Sequence, residues 1–153
     1  MDHCEECGWT YGSLDLRHHG AAFVDGFDGS TVRPAPDVWS SLEYGCHVRD
    51  VMRINLGRVA RGLIEDTPRF EPMNRDQRPT IYRYNAQDPD VVAREVLDAA
   101  EALALVFDAM SEDQLERTVT YNWPGEMVRT LRWVGQHTVH ELVHHRMDLQ
   151  RSS

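Results

Sequence analysis

Apolar residues recur every three to four positions through four stretches of the chain, and the segments between them lose that period. Residues so spaced share one face of a helix, so each stretch predicts a helix with one buried side. The first covers Ser13–Phe27, capped by Ser13, with Leu14, Ala21, Ala22 and Val24 apolar. Gly26, Gly29 and Pro34-Ala35-Pro36 then mark a loop. Asp37 or Ser40 starts a second helix to about Ile64, with Leu42, Val48, Val51, Met52, Ile54, Val59 and Leu63 in its apolar series. The third follows Asp88-Pro89, an N-cap and a proline at the first helical position. It carries Val92, Val96, Ala99, Ala100, Leu103, Val106, Phe107 and Met110 in phase. The fourth is predicted from near Glu126 to about Gln150.

The connections are as informative as the helices. Glu65–Gln87 holds Pro68, Pro72 and Pro79 and no helical period; in a four-helix bundle one such long connection lets two consecutive helices run parallel. Thr80–Tyr84 is expected to be extended and to lie along the bundle. Ser111–Gly125 contains a short β-like piece, Arg117–Tyr121, and a Trp123-Pro124-Gly125 turn. The predicted fold class is therefore all-α, a four-helix bundle with a long crossover between its second and third helices. A single domain over residues 1–153, with residues 1–12 as an N-terminal turn, suits a chain of this length.

Charge narrows the partners. Sixteen Lys and Arg against 25 Asp and Glu give a net charge of −9, and no basic run or aromatic-basic patch offsets it. That balance argues against nucleic acid as a partner. No apolar run approaches a membrane span, and Met1–Gly8 is too polar for a signal peptide, so a cytoplasmic protein is expected. Three cysteines are too few and too odd in number for a disulfide framework, in keeping with a reducing compartment.

Chemistry concentrates in Gln136–Asp148, Q-H-T-V-H-E-L-V-H-H-R-M-D, which holds four of the chain's eight histidines. On a helix His137, His140, Glu141, His144, His145 and Asp148 form one broad stripe. Solvated helix faces are more often built from Lys and Glu; imidazoles and carboxylates at i and i+4 are what a divalent cation needs. The apolar series Met127, Leu131, Val134 continues into Thr138, then Glu141 or Leu142, then His145, so the core-facing stripe turns ligand-like halfway along the helix. A buried carboxylate and imidazole would be costly without partners, and a metal would satisfy both. His47, early in the second helix, is by itself an ordinary hydrogen-bonded core histidine unless it converges on this stripe.

A second candidate lies at the N-terminus, where Cys4-Glu5-Glu6-Cys7-Gly8 has the form of a zinc knuckle. A closed site needs four ligands, so His3, His18, His19 or Cys46 would have to complete it. The bland alternative is a turn with two ordinary thiols. A thioredoxin-like use is disfavoured because that motif follows a strand and opens a helix.

A histidine early in the second helix with an i,i+4 ligand pair late in the fourth resembles the DinB/YfiT-like metalloprotein superfamily. The run Glu141-Leu142-Val143-His144-His145-Arg146-Met147-Asp148-Leu149 is most similar to its branch around mycothiol-dependent maleylpyruvate isomerases, and Trp39-Ser40 with His47-Val48-Arg49-Asp50 looks like that family's second helix. The likeness covers roughly residues 36–150. It implies an up-down-down-up bundle and a divalent metal held by His47, Glu141 and His145. His140 and His144 form the alternative i,i+4 pair; the apolar stripe and the His-Arg-x-Asp-Leu run favour 141/145. His137 and Asp148 would then support the ligands from behind. Larger isomerases carry a second, C-terminal domain, whereas this sequence ends just after the fourth helix, so the substrate-binding groups of that domain are not expected here.

The donor set admits zinc, nickel or iron without deciding among them, and zinc is expected first; the resemblance further implies a thiol cosubstrate. A low-molecular-weight thiol such as mycothiol would be the cosubstrate and a small electrophile its acceptor, in S-transfer or isomerisation. Tyr44, His144 and Arg146 are candidate proton donors or anion clamps. Metal-dependent hydrolysis, or a non-catalytic metal-binding or stress-responsive role, are the alternatives. A homodimer is compatible with the family.

Overall fold

Capping chemistry sets where the helices begin. The structure, a computed structural model, describes residues 2–152. Helix α1 spans Leu16–Asp25 and is capped by Asp15, whose side chain accepts from His18 N. Ser13, the expected cap, instead accepts from Asp15 N and orders the approach to the helix. Helix α2 covers Ser41–Ile64; Ser40 and Glu43 close a capping box on each other's backbone N–H groups. Such a cap contributes roughly 1 kcal/mol. A short α3 (Arg78–Ile81) and one 3-10 turn (Tyr84–Ala86) punctuate the crossover, and α4 (Pro89–Asp108) follows the Asp88 cap. The short α5 (Glu112–Leu115), strands β1 (Thr118–Tyr121) and β2 (Met127–Thr130), and α6 (Leu131–Ser152) complete the chain.

Two expectations are corrected here. Thr80–Tyr84 is not extended: Pro79 sits in the first turn of α3, and Arg83 adopts a left-handed φ of 49° that no continuous strand accommodates. The extended part of the crossover lies earlier, where Phe70 N donates to Thr120 O and Thr120 N to Pro68 O. The last helix begins at Leu131, not near Glu126. Met127 and Val128 are exposed and pair with β1 in an antiparallel hairpin, Tyr121 opposite Met127 and Thr118 opposite Thr130. Thr130 then accepts from Trp133 N and starts α6. The hairpin adds a small β element to an otherwise helical four-helix bundle.

Side-chain neighbours fix the helix directions. Along α2, His47 meets His145, Asn55 Nδ2 donates to Thr138, and Gly62 lies against Leu131, so α2 and α6 are antiparallel. Arg17 binds Asp108 and Gly20 lies against Ala100, making α1 and α4 antiparallel. Gly135 of α6 faces Leu14 and Gly26 faces Arg146, so α1 and α6 run together. It follows that α2 and α4 are parallel, and the four long helices run up, down, down, up. At Gly135 a Cβ would come within 2.6 Å of Leu14 and 2.8 Å of Phe107, so any larger residue would have to displace both side-chain tips. Leu16, Phe23, Leu42, Val59, Val96, Leu103, Leu131 and Leu142 form the buried centre. Among the described residues no helix is long and apolar enough to cross a membrane.

The parallel pair depends on how the crossover is pinned. Asp50, buried in α2, accepts from Arg49 Nε (2.9 Å), from Arg78 Nη2 (3.1 Å) and from the Tyr84 hydroxyl. Burial alone would raise its pKa, but the Tyr84 hydrogen bond and the two guanidinium groups outweigh it and leave the carboxyl below its ordinary value. A depressed folded pKa contributes stability above the unfolded value of about 3.9, lost as pH falls through the folded one. Asp50→Ala should therefore cost about 3–5 kcal/mol in urea or thermal unfolding, the penalty of stranding buried charges. The loss should be flat between pH 5 and 8; a variant as stable as wild type would contradict this role.

Candidate metal centre

Because α2 and α6 are antiparallel, a residue early in one meets residues late in the other. His47 thus faces Glu141 and His145, and these three offer ligand atoms that all lie within 4.8 Å of one another. Glu141 Oε2 is 3.0 Å from His145 Nε2 and 3.6 Å from His47 Nε2. The His47 and His145 rings meet edge to face at 4.8 Å. Both imidazoles are buried, and His47 Nε2 has no hydrogen-bond partner. A buried ring nitrogen aimed at a carboxylate and a second imidazole, yet unbonded, is costly and suits a metal ligand. Two imidazoles and a carboxylate can hold a divalent ion with positions left open.

Burial and hydrogen-bond partners tune the three donors differently. Burial lowers the His47 pKa to about 4, so this imidazole is neutral at pH 7. Burial opposes charge on Glu141, but the hydrogen bond from His145 and the facing imidazoles of His47 and His137 hold its carboxyl well below the usual range. His145 is also buried, yet Asp148 and Glu141 at its two ring nitrogens raise its pKa. Asp148 lies 2.9 Å from His145 Nδ1, which leaves Nε2 directed at Glu141.

The α6 stripe is split by its own neighbours. Among the described residues its side chains enter four groups with metal-ligand proximity. Only the group with His47 joins α2 to α6. His137 and His140 both present Nδ1 to the Tyr11 hydroxyl, at 2.7 and 3.1 Å. His140 and His144 face Cys4 and Cys7, not His47. The cysteine knuckle therefore meets histidines of the last helix rather than His3, His18, His19 or Cys46. His3 Nδ1 bonds Thr10, His19 packs on Trp9, and Cys46 is buried against the Tyr84 carbonyl.

His47, Glu141 and His145, with Cys4 and the other α6 histidines, line a cavity of about 700 Å³, within the range of small-molecule sites. Its walls include Asn55, Arg58, Arg75, Tyr121 and Asn122. None of these was singled out from the sequence. Arg58 was within reach, since 47, 51, 54/55 and 58 recur on one face of α2. Arg75 was not, because the crossover has no period to place it. Of the proposed clamps, Tyr44 packs on the His145 ring and Arg146 lies beside Gly26. His144 lines the cavity.

A four-helix bundle with a cation-ready cluster between its second and last long helices defines a class of helical proteins suited to binding metal. The chain belongs to the DinB superfamily, whose family model matches residues 28–148. Among solved structures it is similar to YfiT from Bacillus subtilis, described as a probable metal-dependent hydrolase with an unusual four-helix bundle topology. The two share 15% identity over 89% of this chain and 82% of that one, with a TM-score of 0.75. A comparison with curated proteins gives no match.

The shifted imidazoles predict a titration pattern in metal-stripped protein. His47 and His140 are both lowered to about 4, in each case chiefly by burial. Below about pH 6.5 the unfolded chain binds protons that these two refuse, so they weaken the fold increasingly as pH falls toward 4. His145, raised, acts oppositely: its contribution is complete below the unfolded value and fades as pH rises through the folded one. Ring-proton NMR should show two histidines titrating near pH 4 and His145 above its ordinary value. His47 titrating near 6.5 would contradict the buried geometry.

Proposed function

We propose that the chain is a metal-dependent enzyme that activates a low-molecular-weight thiol, of the mycothiol kind, for transfer to a small electrophile. The observation that carries this reading is the unbonded Nε2 of His47, facing Glu141 and His145 on the wall of a cavity large enough for an organic substrate. A divalent cation bound there, zinc first and nickel or iron by the same donors, would supply the Lewis acidity that keeps a thiol deprotonated at neutral pH.

The chain's own groups do the rest. Glu141 brings negative charge, and neutral His47 brings a lone pair without a proton to displace. Asp148 fixes the His145 ring from behind. Asn122 Oδ1 is a second buried atom without a partner among the cavity residues, an acceptor for a substrate amide or hydroxyl. Arg58 is held by Asn55 Oδ1 and the Glu71 carbonyl, and Arg75 stacks over Trp39 at 4.5 Å. Both guanidinium groups border the cavity and suit a carboxylate on thiol or electrophile.

Hydrolysis is the second reading, favoured by the similarity to YfiT, itself described as a probable metal-dependent hydrolase. Metal-loaded protein incubated with monochlorobimane and a panel of bacterial thiols separates the two. Conjugation should require metal and vanish in His47→Ala, whose metal content should fall by one equivalent. Asp148→Asn should lower metal affinity or rate about 10–100-fold. Metal-dependent ester cleavage without conjugation would favour hydrolysis. An unchanged metal content in His47→Ala would overturn the centre itself.

A further inference from the structure

We infer that Cys4, Cys7, His140 and His144 form a second, closed zinc site that staples the N-terminal knuckle onto α6 as a wall of the cavity. Each residue offers one ligand atom, and all four atoms lie within 4.8 Å of one another. In a tetrahedral Cys2His2 site the ligand atoms sit roughly 3.3–3.8 Å apart, given zinc–ligand bonds of about 2.0–2.3 Å. Cys4 Sγ and His144 Nδ1 are already 3.7 Å apart.

Independent features point the same way. His140 Nε2 is buried and has no hydrogen-bond partner, while its Nδ1 lies 3.1 Å from the Tyr11 hydroxyl. With Nε2 on zinc, Nδ1 carries the proton and donates to Tyr11; the Tyr11 hydroxyl then donates to His137 Nδ1, 2.7 Å away. One tautomer assignment thus satisfies three side chains. His144 repeats the scheme: Nδ1 faces the thiols, and Nε2 lies 3.5 Å from Glu6 and 3.8 Å from Asp148, the carboxylate backing usual for a ligating imidazole. The knuckle is preformed, with Gly8 N donating to the Cys4 carbonyl and Gly8 at φ 75°. Its spacing, C-x2-C with H-x3-H, is that of structural zinc sites.

The site goes beyond the proposed enzyme and uses none of the three donors assigned to it. On one helix the pairs 140/144 and 141/145 lie about 100° apart, so one points at the knuckle and the other at His47. Four protein ligands leave no open position, which makes the ion structural rather than catalytic.

Cobalt titration of the metal-free, reduced protein tests this without activity. The wild type should bind two equivalents, one with intense tetrahedral visible bands and sulfur-to-cobalt charge transfer. Cys4→Ser/Cys7→Ser should lose that equivalent and its charge-transfer band, and His144→Ala should weaken it. His47→Ala should keep the band and lose the other equivalent, so failure of either centre is read separately. Zinc should also protect residues 2–13 from protease in the wild type and not in the double serine variant. A wild-type titration with no charge transfer, or a band that persists in the double serine variant, would overturn the proposal.

Discussion

The structure turns on a buried polar seam between two antiparallel helices. Glu141 is a largely buried carboxylate on the cavity wall of an otherwise apolar bundle, a position that ordinarily costs several kcal/mol unless charge and hydrogen bonds are returned to it. His145 returns a hydrogen bond along its own helix, and His47 faces the carboxylate from α2 at 3.6 Å. Further along the same seam, Asn55 bonds Thr138, and beyond that Gly62 lets Leu131 close the core. The seam thus passes from apolar to polar to ionisable over four turns. Its polar end fixes the register of α2 against α6, because a slip would strand charged groups against aliphatic ones.

The remaining elements hold that seam in place and give it access. The up-down-down-up order needs a long return between α2 and α4, and Asp50 anchors that return through Arg78 and Tyr84. The hairpin β1–β2 covers the apolar end of α6 and contributes Tyr121 to the cavity wall. The N-terminal knuckle closes the opposite side, tied to α6 by Asp2 on the Trp133 indole as well as by the cysteines' approach to His140 and His144. One helix therefore faces two clusters of potential ligands, and the cavity lies where both are accessible.

Much of this was legible in the chain. The apolar period of Val92–Phe107 and the Asp88-Pro89 start define α4 with little competition, whereas Asp37 and Ser40 both suit the start of α2; the change of character along the last helix points to the cluster that His47 faces. What periodicity could not supply was the partition of the histidines. Residues 140, 141, 144 and 145 share one broad stripe, and only the positions of Cys4, Tyr11 and His47 decide which face serves which neighbour. The strand at Met127–Thr130 was missed because its apolar residues continue the helical spacing; they are exposed, and β-branched Val128 and Thr130 pair with β1 instead. The crossover was misjudged at Thr80–Tyr84 for a related reason: aromatic and β-branched content suggested a strand where Pro79 and the left-handed Arg83 impose turns.

The central claim is that three side chains from two helices share one cation. Anomalous scattering from crystals of zinc-loaded protein addresses it directly. The account predicts a zinc peak within bonding distance of His47 Nε2, a Glu141 oxygen and His145 Nε2. A well-occupied crystal with no peak there, or with a peak bound through α6 alone and His47 left out, would contradict it.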